Sequence, residues 1–288
     1  MQIRTDLALE QRELSPDLPE GVRSEEFDEG DAHISRITVE NATGAAALGK
    51  PEGRYITVEI PPLSDDGDMD ESIVQSLKRE LGELLPAEGT VLVAGLGNTA
   101  ITPDALGPKA AGAVLATRHI TGELARSAGL EDLRGVAVLS PGVLGSTGIE
   151  TSEILEGVVE KIRPAAVLAI DALASRRLAR LGCTIQISDS GISPGSGVGN
   201  RRKEISAATL GLPVIAVGIP TVVDARTLAA DLTGEGCAER VNPRGEQMIV
   251  TPREIDLIIQ RAAALLGHAI NCALQPAFDP AFLLAITK

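Results

Sequence analysis

Apolar positions along the chain follow two periods. Short apolar runs at Thr90–Leu96, Gly135–Leu139, Ala165–Ile170, Cys183–Ile187 and Pro213–Ile219 predict buried strands. Arg54–Ile60 alternates apolar and polar and predicts one more strand, stopped by Pro61-Pro62. Between these runs the spacing lengthens to that of helices. Ile73, Leu77, Leu81, Leu84 and Leu85 share one face of a helix over Glu71–Leu85, and Ile255, Ile258, Ile259, Ala262, Leu265 and Leu266 make a stripe on a helix over Pro252–Leu266. Further helices are expected from Pro103 to about Ser127, over Ser152–Ile162 and in the basic stretch Ser175–Gly182, with a short one starting near Thr5. Residues 1–36 read as acidic and irregular, and 188–203 as a long loop.

Strand–helix alternation of this kind predicts an α/β fold, a mostly parallel twisted sheet with helices on both faces. There is no internal repeat and no convincing linker, so one domain is expected, with residues 7–65 packing as an N-terminal appendage.

Composition narrows the function classes. The chain has 288 residues and a net charge of −14, and it contains only one Tyr, three Phe and no Trp. Leu, Ile, Val and Ala must therefore fill the core, and direct nucleic-acid binding is disfavoured twice, by the charge and by the lack of stacking platforms. The charge fits a cytoplasmic protein. Cys183, Cys237 and Cys272 are odd in number and widely spaced, which argues for free thiols in a reducing compartment. The charged N-terminus does not resemble a signal peptide, and the apolar runs are too short or broken for a membrane span.

The chemistry converges on two carboxylates. Gly95 and Gly97 turn the chain after the Thr90–Leu96 strand, and Thr102-Pro103 predicts a helix start that puts Asp104 in its first turn. Asp171 directly follows the Ala165–Ile170 strand. Singly, Asp104 complements a helix dipole and Asp171 caps a turn. Together, at the carboxyl ends of two parallel strands, they lie on the edge where α/β sheets bind ligands. A carboxylate pair can share a proton, one member activating water and the other polarising a carbonyl. Asp104, near a helix N-terminus, suits the ionised base, and Asp171, after an apolar strand, suits the protonated partner. Gly95-Leu96-Gly97-Asn98 lacks the third glycine and distal acid of a dinucleotide fingerprint. His33, His119 and His268 have no metal-ligand spacing, and there is no nucleophile elbow. No cofactor is expected. The basic runs Arg176–Arg180 and Arg201-Arg202-Lys203 read as solvated surface or as a patch for acidic substrate side chains. The glycine loops at Gly142–Gly148 and Gly195–Gly199 are plain turns or donors of backbone N–H groups to substrate or to an oxyanion.

Five blocks carry a resemblance to a known family: Ile3–Glu10, Gly95–Pro108, Ala169–Arg176, Gly191–Ser206 and Gly218–Ala225. In order and content they resemble the germination proteases of spore-forming bacteria. The resemblance implies an atypical aspartic endopeptidase that begins degradation of small acid-soluble spore proteins in the spore core, with Asp104 and Asp171 as catalytic residues. It implies cleavage after Glu or Asp and before a hydrophobic residue, a homotetramer, and a fold similar to hydrogenase-maturation proteases. It also implies a zymogen. Thr5-Asp6-Leu7-Ala8 fits the processing pattern, so residues 1–6 are expected to be a short propeptide removed by self-cleavage at Asp6–Leu7, leaving 7–288 as the peptidase domain. Two alternatives remain. One is a metal-dependent processing peptidase with Glu150 as a further ligand, and the other is a non-catalytic acidic binding protein.

Overall fold

The computed structural model describes residues 4–15, 17–65, 70–199, 202–233 and 248–287. Its strands are β1 (Val22–Glu29), β2 (Ala32–Val39), β3 (Gly53–Glu59), β4 (Val91–Gly95), β5 (Val136–Leu139), β6 (Ala166–Ser175), β7 (Thr184–Ser188), β8 (Val214–Asp224) and β9 (Ile249–Val250). Its helices are α1 (Ala8–Glu13), α2 (Ala42–Leu48), α3 (Glu71–Leu84), α4 (Leu106–Gly112), α5 (Gly122–Ala128), α6 (Leu144–Thr147), α7 (Thr151–Ile162), α8 (Ala207–Leu210), α9 (Ala225–Thr233), α10 (Ile255–Leu274) and α11 (Pro280–Ile286). The strands form one sheet in the order β1-β2-β3-β7-β8-β6-β4-β5, with β9 beside β8.

The expected α/β architecture is present, but the sheet is mixed. Parallel pairing is confined to β5–β4, β4–β6 and β6–β8. The β1–β2, β2–β3, β3–β7, β7–β8 and β8–β9 pairs are antiparallel. The strands read most easily from the sequence, β4, β6 and β8, are buried throughout their length apart from Ala172 and Val222, which explains their continuous apolar runs. The antiparallel half holds the correction to residues 1–36. Val22–Glu29 and Ala32–Val39 are a hairpin, turned at Gly30 with φ 58°, and it joins the sheet through β3 and β7. The charges that made β1 look irregular sit on an edge strand, where they block further pairing.

Helices cover both faces. On one face α3, α4 and α10 bury Leu77, Leu81, Leu106, Ile259, Leu266 and Ile270 against Val93, Leu168 and Ile185 of the sheet. On the other, Leu155 of α7 and Leu210 of α8 close over Leu92, Val167 and Val214. The helix α10 runs to Leu274, past the expected stop at Leu266, because Ala269, Ile270, Ala273 and Leu274 continue its apolar face. It is long and apolar enough to cross a membrane by composition, but most of it is buried inside the protein.

Two further expectations are corrected near the carboxylates. The helix from Pro103 to about Ser127 is broken into a 3-10 turn over Thr102–Asp104, then α4 and α5. The chain leaves α4 at Ala113, and the N–H groups of Thr117 and Arg118 both donate to the Val136 carbonyl of β5, at 2.9 and 3.0 Å. In addition, Asp171 lies within β6 and not after it, because β6 continues to Ser175 beside β8. The basic stretch after β6 is a single 3-10 turn, Leu178–Arg180.

Candidate active site

The register of the parallel strands brings Asp171 and Asp104 to one place. The last β4–β6 pair is Gly95 with Ile170, so β4 has ended where Asp171 begins, while Asp171 still pairs with Gly218 of β8. The Thr102–Asp104 turn fills the space that β4 vacates. The Leu96 N–H donates to the Ile170 carbonyl at 2.8 Å, and Thr221 Oγ1 of β8 donates to the Pro103 carbonyl at 2.8 Å. Two glycines permit the approach. Gly97 has φ 115°, and a Cβ there would meet the Asp104 carbonyl oxygen. A Cβ on Gly107 would meet the carbonyl oxygens of Leu96 and Ile170.

The two carboxyls differ in environment. Asp104 is partly buried, and its Oδ2 accepts the Asn98 N–H at 2.9 Å. Desolvation raises its pKa, and that hydrogen bond opposes the rise. Asp171 is 5 % exposed, and its Oδ1 accepts the Ala172 N–H at 2.9 Å. Burial pushes its pKa well above the usual carboxylate range, and the negative charges of Asp104 and then Asp6 push it further. Of the two, Asp171 holds its proton more firmly.

The third carboxylate, Asp6, belongs to the N-terminal segment, which lies in extended form along the end of β6. Its N–H donates to the Ala174 carbonyl at 2.9 Å, and its Oδ2 accepts the Ala174 N–H at 2.8 Å. Ser196 Oγ donates to Oδ1 at 2.6 Å. The Asp6 carbonyl oxygen accepts from Lys50 Nζ at 2.7 Å and from Gln186 Nε2 at 3.0 Å, while Gln186 Oε1 accepts the Ala8 N–H at 2.6 Å. Leu7 is fully buried. Desolvation lowers the pKa of the Lys50 ammonium, and the charges of Asp6 and Glu10 oppose that. Behind the segment, buried Glu10 accepts the N–H groups of Arg176 and Arg177 at 2.6 and 2.9 Å and the Thr5 hydroxyl. A cavity of about 470 Å³ opens along the segment, with Arg4, Asp6, Lys50, Gln186, Ser196 and Gly218 in its wall.

The structure thus brings Asp6, Leu7, Asp104 and Asp171 to one end of β6. Of the basic candidates, Arg176 and Arg177 lie behind the segment through their N–H bonds to Glu10. Lys203 is exposed and pairs with Glu156 at 2.7 Å, the exposed Arg202 donates its N–H to Pro194, and Arg201 lies outside the described residues, as does Cys237. Of the glycine loops, Gly195–Gly199 reaches Asp6 through the Ser196 hydroxyl, while the Gly142–Gly148 loop bonds within itself and to Thr151. Glu150 caps α7 in a box with Glu153, and among the described residues no group of three or more His, Cys, Asp or Glu side chains is arranged to hold a metal ion. Sequence reading missed Lys50, Gln186 and Ser196. Gln186 carried a signal, as a lone amide between Ile185 and Ile187 in a strand that is buried throughout.

The chain is a peptidase, since residues 3–234 match a peptidase family model. That family is germination protease, and the chain belongs to it. Its sequence is 46 % identical to the germination protease of Caldanaerobacter subterraneus subsp. tengcongensis, over 95 % of this chain and 94 % of that one. It is 42 % identical to that of Clostridium perfringens, with 95 % of each covered, and 37 % identical to that of Bacillus velezensis, with 95 % and 93 % covered. Among solved structures it is similar to the NiFe hydrogenase maturation protease HycI of Thermococcus kodakarensis, at TM-score 0.40 and 17 % identity, over 68 % of this chain and 98 % of that one.

Proposed function

We propose that this protein is an endopeptidase that starts the breakdown of small acid-soluble spore proteins during germination, in the spore core. It cleaves after Glu or Asp and before a hydrophobic residue, and it is made as a zymogen that cuts itself at Asp6–Leu7. The observation that carries the reading is the seat of its own Asp6-Leu7 segment, extended beside β6 with the Asp6 carboxylate held by the Ala174 N–H and the Ser196 hydroxyl. That is how a cleft selective for an acidic residue would hold one.

Asp104 is the base and Asp171 the protonated partner. The direction of their pKa shifts supports the division, since Asp171 carries the larger rise and adjoins the charge of Asp104. Asp104 takes a proton from water as the water oxygen attacks the scissile carbonyl. The resemblance adds a homotetramer as the working form.

The test is intact-mass spectrometry of a small acid-soluble spore protein incubated with the chain in excess chelator, wild type beside Asp104→Asn. Fragments ending in Glu or Asp with wild type alone support the reading. Cleavage by both variants removes the carboxylate pair. An intact substrate with a wild-type chain that has lost Met1–Asp6 removes the assigned substrate.

A further inference from the structure

The contacts at the Asp6 carbonyl carry the assignment further, resting on the reading of Asp6–Leu7 as a bond this protein cleaves. Its oxygen accepts two side-chain donors, one from the loop after α2 and one from β7. Neither donor is needed for the extended backbone of the segment, which takes its ladder bond from Ala174. A carbonyl oxygen has two lone pairs, and here both are engaged. We propose that Lys50 and Gln186 are the oxyanion-stabilising residues of this peptidase, binding the carbonyl oxygen of the scissile bond and the negative charge it gains on attack.

Their chemistry suits the role. One donor is a cation in a partly desolvated position, where it acts on a developing negative charge more strongly than in water. The other is a neutral amide fixed at both ends, since its Oε1 accepts the Ala8 N–H two residues beyond Asp6. That second bond orients the Nε2 group without cost at the moment of reaction. Both donors reach the peptide from the β3–β7 half of the sheet, while Asp104 and Asp171 come from the β4–β6 half.

The assignment changes what Asp171 does. With the carbonyl already polarised, the proton on Asp171 is available to the leaving nitrogen. Water adds to the Asp6 carbonyl carbon and gives one proton to Asp104, and the C=O electron pair moves onto the oxygen held by Lys50 and Gln186. The C=O bond then re-forms and the C–N bond breaks. Its electron pair goes to the Leu7 nitrogen, which takes the proton from Asp171. The new acid returns its proton to Asp171, and Asp104 passes its proton to the amine, so the products are a carboxylate and an ammonium and both aspartates are restored.

The test follows loss of residues 1–6 from the full chain by intact mass, for wild type, Asp171→Asn, Lys50→Met, Lys50→Arg and Gln186→Leu. Removing one oxyanion donor is expected to slow cleavage about 100-fold or more. Lys50→Arg, which keeps a cationic donor, is expected to recover part of the rate. A clamp that merely seats the segment is separated by hydrogen exchange at the Asp6 amide, compared in Asp171→Asn with and without Lys50→Met. Retained protection with a lost rate supports the assignment. Protection lost in proportion to the rate overturns it, as does wild-type speed in both Lys50→Met and Gln186→Leu. Should Gln186→Leu misfold, by loss of its cooperative melting transition, Lys50→Met alone decides. A wild-type chain that never cleaves Asp6–Leu7, or an Asp171→Asn chain that cleaves it normally, fails the underlying reading instead.

Discussion

Asp6 and Ala174 are joined twice: the Asp6 N–H donates to the Ala174 carbonyl, and the Ala174 N–H donates to the Asp6 carboxylate. A strand pair would have used a carbonyl for the second bond. Here the side chain takes that place, so the terminal backbone of β6 is matched to an acidic residue at this position of the bound segment. Asp6→Ala removes the bonds that the Ala174 N–H and the Ser196 hydroxyl donate to the carboxylate and leaves this position with its backbone bonds to Ala174, Lys50 and Gln186. Hydrogen bonds to charged groups are each worth about 1.5–3 kcal/mol, so self-cleavage at this position is expected to slow at least about 10-fold. An intact-mass time course reads it, and unchanged kinetics would show that the carboxylate is not recognised.

Gly197 sets the depth of the same seat. A Cβ there would fall on the Asp6 carboxylate and come within 2.6 Å of the Ala174 Cβ. Gly197→Ala is therefore expected to expel the acidic side chain and to push the loop away from the end of β6. Cleavage should drop about 10-fold or more, the worth of one lost charge-assisted bond, with a lower melting temperature from overpacking against Ala174. Cleavage at the wild-type rate would mean that the loop gives way and that Ser196 does not fix selectivity.

Much of this was legible from residue order alone, for a physical reason. β4, β6 and β8 are covered on both faces, so burial wrote itself into Thr90–Leu96, Ala165–Ile170 and Pro213–Ile219 as unbroken apolar runs. The placement of Asp104 and Asp171 on one edge followed from the same runs, although neither sits in the local structure expected of it. The β1–β2 hairpin was hidden because an edge strand such as Val22–Glu29 is charged to avoid further pairing. Lys50, Gln186 and Ser196 gain their meaning only from where the N-terminal segment docks, at sequence separations of 44, 180 and 190 residues from Asp6. No local period encodes such contacts.

Gly107 is a close backbone approach beneath the site. An added Cβ would meet two main-chain carbonyl oxygens, of Leu96 and Ile170, and the Leu96 nitrogen at 2.6 Å. None of these is the end of a flexible side chain. Gly107→Ala must lift α4, and with it the Asp104 turn, from the sheet. Overpacking of this kind costs typically about 1–3 kcal/mol, and the rigid carbonyls put this position at the upper end. Urea denaturation should show that loss, and cleavage should fall with it even under conditions where the chain remains folded. A variant as stable as wild type would contradict the close packing of α4 on β6.

The buried Asp171 also fixes the sign of a pH dependence. Its pKa in the folded chain lies well above the ordinary value of 3.8, because burial and the charges of Asp104 and Asp6 disfavour the carboxylate. Below 3.8 the group is protonated in both folded and unfolded chains and contributes no pH dependence. Above it, the unfolded chain has lost the proton that the folded chain keeps, so the unfolded state binds fewer protons and stability falls as pH rises. The slope reaches about 1.4 kcal/mol per pH unit for one proton and flattens once the folded group also ionises. Asp171→Asn keeps the shape and removes the titration. Wild type is therefore expected to lose stability relative to Asp171→Asn steadily from about pH 4 upward, read by urea denaturation at a series of pH values, with intact mass confirming that each sample is uncleaved. A difference that stays flat, or that favours wild type as pH rises, would mean that Asp171 ionises in the folded chain as readily as in water and cannot serve as the protonated partner.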